Sequence, residues 1–285
     1  MLEFGTQIFL NGLVLGSLYS LIAVGLTLVF GVMGIINFAH GELYMLGAYV
    51  VWFLFAKNHT PFLVSVLVAA VAVGTVGIIL ERAVFRPLRA NPMAGFIASL
   101  GLIFILQTSI LLAFGTKMKD VPLAFPQVIH IFGACINTQK IVIIFAGIGL
   151  LMLLGLFLRR TKTGLSILAC SQDREAAALQ GMSLNWSSTI TMLLGSVFAG
   201  AAGALAAPIV LVGPYMGASV ILKSFIIVII GGPGSITGAL LVALLLGFVE
   251  SIFCTLLSPR LALLAAVVML LSILTIRPRG LFGHD

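Results

Sequence analysis

The sequence predicts an all-α, polytopic integral membrane protein with about nine membrane-crossing or half-membrane helices and an inverted repeat. Composition indicates this class first: 61% of the residues are hydrophobic and 8% are charged, whereas soluble domains carry about 25% charged residues. Apolar runs near the roughly 20 residues that a helix needs to cross the hydrocarbon recur along the chain. We therefore expect one transmembrane domain over residues 1–285. The predicted crossings are approximately 8–30, 37–56, 61–80, 94–114, 140–158, 188–212, 216–231, 237–257 and 261–276.

Small residues recur at every fourth position in the first and sixth crossings. This spacing places each set on one stripe, where the backbone of another helix can approach closely. Packing within the chain and contact with a second subunit both fit such a stripe. The two stripes are Gly12, Gly16 and Ser20, and Gly195, Ala199, Gly203 and Ala207.

The second and seventh crossings are short or interrupted. The second follows the glycine-containing and polar stretch GVMGIINFAHGE (31–42), and the seventh lies between GPYMGAS (213–219) and GGPGS (231–235). The two lie five crossings apart, so equivalent elements run in opposite directions, as in an inverted repeat. Discontinuous helices at matching positions of two halves point to a solute pathway.

Polar and small residues at these breaks are the candidates for that pathway, because a charge inside the membrane costs at least about 2.5 kcal/mol on insertion scales. Glu42 fits either the pathway or a cap on the second helix, and His40 fits either a proton carrier or a structural histidine. Lys223 fits either a lumen residue or a snorkelling anchor, and Glu250 fits an interhelical hydrogen bond. The pathway candidates are Gly34, Asn37, His40, Gly41, Glu42 and Lys223.

The longest polar interruption, residues 159–187, predicts a cytoplasmic segment that a separate protein contacts. Asp173 is placed to N-cap a short helix and Gly181 to end it, and we expect Arg174 and Glu175 to face water. Most connections need only about 4–6 residues, so a longer, capped insert indicates a docking surface. The residues expected to carry the contact are Asp173, Arg174, Glu175, Ala176, Ala177, Leu179 and Gly181.

The net charge of +7 is interpreted as a topology signal rather than a nucleic-acid-binding surface, because the basic residues lie at the ends of apolar runs. The side that carries more lysine and arginine is expected to face the cytoplasm, which places the N-terminus outside and the C-terminus inside. One side carries Arg82, Arg86, Arg89, Arg159, Arg160, Lys162, Arg174, Arg277 and Arg279, and the other carries Lys57, Lys117, Lys119, Lys140 and Arg260.

Patterns typical of enzymes and nucleotide-binding proteins are missing from the sequence. It contains neither G-x-S-x-G nor H-E-x-x-H, and GASVILKS (217–224) has a leucine where a phosphate loop needs its second glycine. Its three cysteines are widely separated and predict neither a disulfide framework nor a metal site. We therefore expect a chain that is not an enzyme and binds no metal or cofactor.

Several stretches along nearly the whole chain carry a family resemblance. They are residues 11–50 (NGLVLGS to LGAYV), ERAVFRPLR (81–89), TGLSILACSQDREAAALQGM (163–182), PYMGASVILKSF (214–225), GGPGSITGA (231–239) and RPRGLFG (277–283). Together they resemble the permeases of high-affinity branched-chain amino acid ABC importers, the LivH type. The combination of INFAHGE, DREAAALQG and GGPGS is specific to this group.

This resemblance implies an ABC importer permease fold in the bacterial cytoplasmic membrane, with residues 1–285 forming one permease domain. It implies that residues 173–181 form a coupling helix, which rests in a cleft of a cytoplasmic ATPase and is pushed when the ATPases close. The implied partners are a second, LivM-like permease, two ATPase subunits that hold ATP and Mg²⁺, an extracytoplasmic solute-binding protein and membrane lipid.

The substrate that the resemblance implies is leucine, isoleucine or valine. The same machinery in related permeases moves other amino acids, urea or short amides, and these remain alternatives. A self-sufficient, ion-coupled secondary carrier is a further hypothesis, which the sparse intramembrane carboxylates disfavour.

Overall fold

The computed structural model describes residues 2–131, 133–278 and 280–282, and helices dominate this part of the chain. Arg279 and Gly283 of the predicted basic tail lie outside the described residues. The α-helices are α1 (Leu2–Met33), α2 (His40–Val51), α3 (Phe62–Leu80), α4 (Pro92–Phe114), α5 (Thr138–Arg160), α6 (Lys162–Gln172), α7 (Arg174–Leu179), α8 (Leu184–Ala206), α9 (Met216–Gly231), α10 (Ile236–Leu256) and α11 (Pro259–Ile276). Two π-helical stretches, Trp52–Lys57 and Glu81–Phe85, continue α2 and α3.

Short polar side chains begin several of these helices. In each case the side-chain oxygen accepts a hydrogen bond from a backbone N–H of the first turn, which has no partner inside the helix. Proline follows the cap at the first position of α4 and α11, where its missing N–H costs nothing. The capping residues include Asn91 of α4, Ser183 of α8, Ser235 of α10 and Ser258 of α11.

Seven helices in the described part of the chain are long and apolar enough to cross a membrane. They correspond to seven of the nine predicted crossings, so the exact number nine is not confirmed. The other two predictions, 37–56 and 216–231, correspond to α2 and α9, which have 12 and 16 α-helical residues. These are the two crossings that the sequence marked as short or interrupted.

The two ends of the helix array differ in character. One end carries a two-stranded antiparallel sheet, β1 (Val128–Ile131) and β2 (Ala134–Asn137), and we call it the hairpin end. The other end carries α6 and α7, and we call it the coupling end. The hairpin lies between the predicted crossings 94–114 and 140–158, a stretch for which the sequence predicts no strand. A backbone bridge between Lys119 and Val212, with N···O distances of 2.8 and 3.0 Å, ties this loop to the connection between α8 and α9.

α1 and α8 form the centre of the array. In their apolar windows 83% and 78% of the residues are buried, against 17% in α4 and 11% in α11 at the periphery. The predicted small-residue stripes explain the central position, because they let neighbouring helices approach closely. Gly12 and Gly16 of α1 contact Phe248 and Leu244 of α10, and Gly203 of α8 contacts the backbone of Tyr44. Both stripes therefore serve packing within the chain.

Two pairs of glycines bring helices from the first and second halves of the chain into backbone contact. A Cβ on Gly25 of α1 would lie 2.9 Å from the carbonyl oxygen of Gly195 of α8, and a Cβ on Gly195 would lie 2.9 Å from that of Gly25. Gly41 of α2 and Gly217 of α9 show the same reciprocity at 2.5 Å. The second contact places the starts of the two short helices, α2 and α9, against each other. The inverted repeat stays a prediction.

Candidate functional site

The predicted docking segment consists of two helices rather than one. Thr161 caps α6, and Asp173 both ends α6 and caps α7, because its Oδ1 accepts a hydrogen bond from the Ala176 N–H at 2.9 Å. Gly181 ends the second helix with φ +77°, a left-handed conformation that glycine adopts without strain. The predicted cap and stop of α7 are confirmed, whereas α6, an amphipathic 11-residue helix, was missed.

One face of α7 is exposed. Ala177 is buried and anchors the helix, while Glu175, Ala176 and Leu179 point outward. Leu179 is 87% exposed, although it lies in a polar segment outside the apolar spans. The predicted exposure of Glu175 to water is confirmed. The result is a short, capped helix that presents one exposed leucine side chain on a polar segment.

Arg174, the first residue of α7, turns toward the membrane part of the molecule. Its Nη1 donates a hydrogen bond to the carbonyl oxygen of Met33, the last residue of α1, at 3.3 Å. The last carbonyls of a helix lack intrahelical partners and attract cations. Arg174 is thus half-buried rather than fully directed to water, because the Met33 carbonyl, 141 residues away in sequence, accepts a hydrogen bond from it. Its guanidinium joins α7 to the end of α1, where the non-helical segment before α2 begins.

A buried carboxylate fixes the coupling end of α3 to the start of α8. Glu81 is 0% exposed and accepts hydrogen bonds from Arg86 at 3.1 and 2.7 Å, from Arg89 at 3.1 Å and from the Thr189 hydroxyl at 3.0 Å. Arg89 also donates to Asn185 at 2.6 Å. Both carboxylate oxygens of Glu81 are therefore in contact with donors at the coupling end.

Arg89 brings the Glu81 cluster close to α7. Burial lowers the pKa of the Arg89 guanidinium, and the positive charge of Arg174 lowers it further. Sequence reasoning did not select Glu81 as a functional residue. The available signal was a glutamate at the end of an apolar run, followed by arginines five and eight positions later.

Glu81→Gln should lower the stability of the coupling end. The substitution leaves Arg86 and Arg89 without the charge that balances them, which costs about 3 kcal/mol for a buried pair. Because Arg86 is 34% exposed at its side chain, water offsets part of this loss. Thermal unfolding of the purified protein in detergent measures the effect, and Arg82→Gln, at an exposed position of the same turn, is the matched control. Equal melting temperatures for Glu81→Gln and wild type would contradict the assigned role.

The chain between α1 and α2 returns toward the middle of the molecule without helical structure. Gly34 begins this segment with φ +65°, and Asn37, His40 and Glu42 are buried at its end. His40 packs against Gly25 of α1, so α2 begins beside the interior of α1 rather than at its end. The predicted discontinuity of the second crossing is therefore present.

The polar residues at this break make few contacts with other polar groups. Glu42 accepts a hydrogen bond from Gln107 of α4 at 2.9 Å, so it joins α2 to α4 instead of capping α2. The side chain of Asn37 is buried without a hydrogen-bonding partner among the described residues, whereas the buried His40 ring lies beside the backbone of Ile22 in α1. Unpaired buried polar atoms are costly, and ionisable residues such as His40 and Glu42 inside a membrane protein are candidates for functional positions. A pathway role for these residues stays a prediction.

Gly41 has a packing role that the sequence did not reveal. Its contact with Gly217 leaves no room for a side chain between α2 and α9. Gly34, by contrast, has open space around its Cα, and its left-handed φ is what calls for glycine. The two candidate glycines at the break thus serve different purposes.

Lys223, Glu250 and Tyr19 bring three helices together. The Lys223 ammonium of α9 lies 2.5 Å from Glu250 Oε1 of α10 and donates to the Tyr19 hydroxyl of α1 at 2.8 Å. Tyr19 in turn donates to Glu250 Oε2 at 2.7 Å. The predicted interhelical hydrogen bond of Glu250 is confirmed, and the Lys223 ammonium is directed into the protein. Sequence reasoning missed Tyr19, whose partners are 204 and 231 positions away.

These three side chains line a cavity of about 320 Å³ near the hairpin end. Both broken helices contribute to it, α2 through Tyr44 and α9 through Lys223. Its other walls are largely apolar and include Leu15, Leu18, Ile22, Ile209, Val210 and Val220. The remaining pathway candidates, at the break before α2, are not among its lining residues. No group of three or more His, Cys, Asp or Glu within the described ranges could hold a metal ion.

An array of apolar helices, with two broken helices meeting at its centre and a capped polar segment at one end, defines a multi-pass membrane permease. The chain belongs to the family of permease components of branched-chain amino acid transport systems, whose family model matches residues 8–274. As a permease component, it is one part of a transport system with further subunits.

Relatives from several organisms match the chain over almost its full length. The high-affinity branched-chain amino acid transport system permease protein LivH of Escherichia coli (strain K12) is 33% identical, over 99% of this chain and 96% of its own. The corresponding protein BraD of Pseudomonas aeruginosa is 31% identical, over 98% and 95%. A probable branched-chain amino acid transport permease protein LivH of Methanocaldococcus jannaschii is 25% identical, over 99% and 94%.

Proposed function

We propose that this chain is the permease subunit of an ATP-driven importer of the branched-chain amino acids leucine, isoleucine and valine. The observation that carries the proposal is α7, a capped helix with an exposed face that is hydrogen-bonded through Arg174 to the last residue of α1. A channel or a scaffold protein does not need a coupling helix of this kind. The names of the full-length relatives supply the substrate class.

The proposed complex contains four further components. A second, LivM-like permease completes the membrane part, two ABC ATPase subunits bind ATP and Mg²⁺, and an extracytoplasmic solute-binding protein delivers the substrate. In this assignment the chain forms one permease domain and has no catalytic activity of its own. The proposed contact to an ATPase is the exposed face of α7, formed by Glu175, Ala176 and Leu179. The other predicted coupling residues, Asp173, Arg174, Ala177 and Gly181, hold this helix in place.

The proposed orientation follows from charge. The coupling end carries most of the lysine and arginine residues, so it faces the cytoplasm of the cell, and the hairpin end faces outward. The N-terminus is then outside and the C-terminus inside the bacterial inner membrane. This orientation directs α7 toward soluble ATPases and the cavity near Lys223 toward the solute-binding protein.

The coupling movement that we propose runs from α7 to the centre of the array. Closure of the ATPases displaces α7, and the bond between Arg174 and the Met33 carbonyl transmits the displacement to the end of α1. The non-helical residues 34–39 absorb the change in backbone angles, as hinge segments do. Since α2 and α9 contact each other at Gly41 and Gly217, a shift of one broken helix changes the position of the other.

Uptake into proteoliposomes tests the substrate. The complete complex, reconstituted with its own solute-binding protein and supplied with ATP, is expected to accumulate labelled leucine, isoleucine and valine, and to leave urea and acetamide outside. The experiment uses each solute at the same concentration, with complex lacking ATP as the control. Accumulation of urea or acetamide without accumulation of the three amino acids would overturn the proposed substrate class.

A further inference from the structure

Lys223 and Glu250 form an ion pair and both line the cavity described above, so a solute in the cavity can contact both charges. Their side chains are 17% and 15% exposed, so the charges are desolvated without being sealed off. The cavity, about 320 Å³, has the size of small-molecule sites, which range from about 300 to 1,000 Å³. Its charged groups are Lys223 and Glu250, its other polar lining residues are Tyr19, Tyr44 and Ser219, and much of the remaining wall is aliphatic.

Stability alone gives a weak reason for an ion pair at this position. Replacing a buried ion pair by apolar residues of similar volume is often neutral or stabilising. Charged residues within transmembrane segments are costly and typically mark the path of a substrate or ion. Lys223 also belongs to a broken helix, the kind of element that forms solute sites in transporters.

The chemistry of the triad is complementary to a zwitterion. An α-amino acid carries a carboxylate and an ammonium group a few bonds apart, and the triad offers a lysine ammonium, a glutamate carboxylate and a tyrosine hydroxyl. When such a solute enters, the internal ion pair is exchanged for two external pairs. No uncompensated charge is buried, because both the cavity and the solute are neutral overall.

We infer that the cavity between α1, α9 and α10 is a transient binding site for the amino-acid zwitterion, with Lys223 receiving its carboxylate, Glu250 its ammonium group and the aliphatic walls its side chain. Tyr19 holds the two charges in place and can donate its hydroxyl to the solute carboxylate. The site lies at the hairpin end, where the solute-binding protein releases its cargo in the proposed orientation.

This inference rests on the proposed import of amino acids and sharpens it. Uncharged urea or acetamide cannot replace either partner of the ion pair with a full charge, so the cavity gives them no comparable site. The permease then contributes to selection, in addition to the solute-binding protein.

The test removes the triad while preserving its volume. A triple variant, Tyr19→Phe, Lys223→Met and Glu250→Leu, leaves no orphaned polar partner within the triad. We expect its complex to assemble normally and its maximal ATP-driven leucine uptake to fall about tenfold or more, the scale of one lost charge-assisted hydrogen bond. The amount of loaded binding protein needed for half-maximal uptake should not change. Lys140→Met, which removes another partly buried lysine bonded to α1 at Asn11, is the matched control and should retain uptake.

A charge-swapped variant separates solute binding from simple fastening of helices. Lys223→Glu combined with Glu250→Lys restores an ion pair between α9 and α10 but reverses its direction, so we expect uptake to stay low. Wild-type uptake by the swapped or the triple variant would overturn the inference, as would failure of the triple variant to assemble, which would assign the pair to folding. Wild-type complex that imports no amino acid at all would instead overturn the proposed function, and the inference with it.

Direct binding provides a second readout that does not involve the solute-binding protein. L-leucine at millimolar concentration should raise the melting temperature of the wild-type permease complex. Leucinamide, which lacks the carboxylate, and 4-methylpentanoate, which lacks the ammonium group, should raise it less. Equal shifts for all three compounds, or an equal leucine shift in the triple variant, would contradict recognition of a zwitterion by the triad.

Discussion

Leu179→Asp should abolish ATP-driven uptake while the permease itself still folds. Leu179 is 87% exposed on α7, so a charge there costs the isolated chain almost nothing. In the proposed complex the same side chain is covered by an ATPase, and central apolar contacts of an interface contribute about 2 kcal/mol or more. The loss corresponds to about thirtyfold weaker association. Co-purification of the ATPases with the permease and leucine uptake measure the two consequences.

Leu257→Asp is the matched control for this substitution. Leu257 is 62% exposed in the turn between α10 and α11, at the hairpin end, far from the proposed ATPase contact. It should leave ATPase association unchanged. If Leu179→Asp retains full ATPase binding and uptake, α7 is not the coupling contact.

Gly41→Leu should disrupt the centre of the permease rather than merely obstruct a passage. A side chain at this position meets the carbonyl oxygen of Gly217 and the Cβ of Ile221, and the backbone of α9 cannot move aside as a flexible side chain could. Overpacking of cores typically costs 1–3 kcal/mol, and we expect about 3 kcal/mol or more here. The purified variant should melt at a lower temperature and transport little or no leucine.

Gly101→Leu is the control for the glycine substitution. Gly101 is a helical glycine of α4 with nothing within 4 Å of an added Cβ, so leucine there should be tolerated or slightly stabilising. Gly34→Ala addresses the other glycine of the break, where the left-handed φ of +65° rather than crowding opposes substitution. A Gly41→Leu variant that is as stable and active as Gly101→Leu would contradict the close contact between the broken helices.

Features that depend on neighbouring residues were predictable from the sequence. Asp173 and Gly181 act on the backbone within one turn, so the cap and the stop of α7 follow from residue type and spacing. The seven long helices and the two interrupted ones follow from the length of apolar runs. The small-residue stripe of α1 predicted close packing, but not that α10 would be the partner.

Features that depend on distant residues were not predictable in the same way. Arg174 was expected to face water because its partner, the Met33 carbonyl, is adjacent only after folding. For the same reason the sequence did not identify Glu81 or Tyr19 as candidate residues. Glu81 contacts Thr189, and Tyr19 contacts Lys223, only across helix interfaces that form on folding. The sequence marked several polar residues as costly inside a membrane, and the fold determined which of them meet.

The most direct test of the account is whether the energy for transport comes from a separate ATPase and enters through α7. Complete complex in proteoliposomes, supplied with leucine-loaded binding protein, should accumulate leucine only when ATP is present on the side of the coupling end, and a proton or sodium gradient should neither replace nor be required for ATP. Accumulation of leucine by the permease without ATPases, driven by an ion gradient alone, would contradict the account.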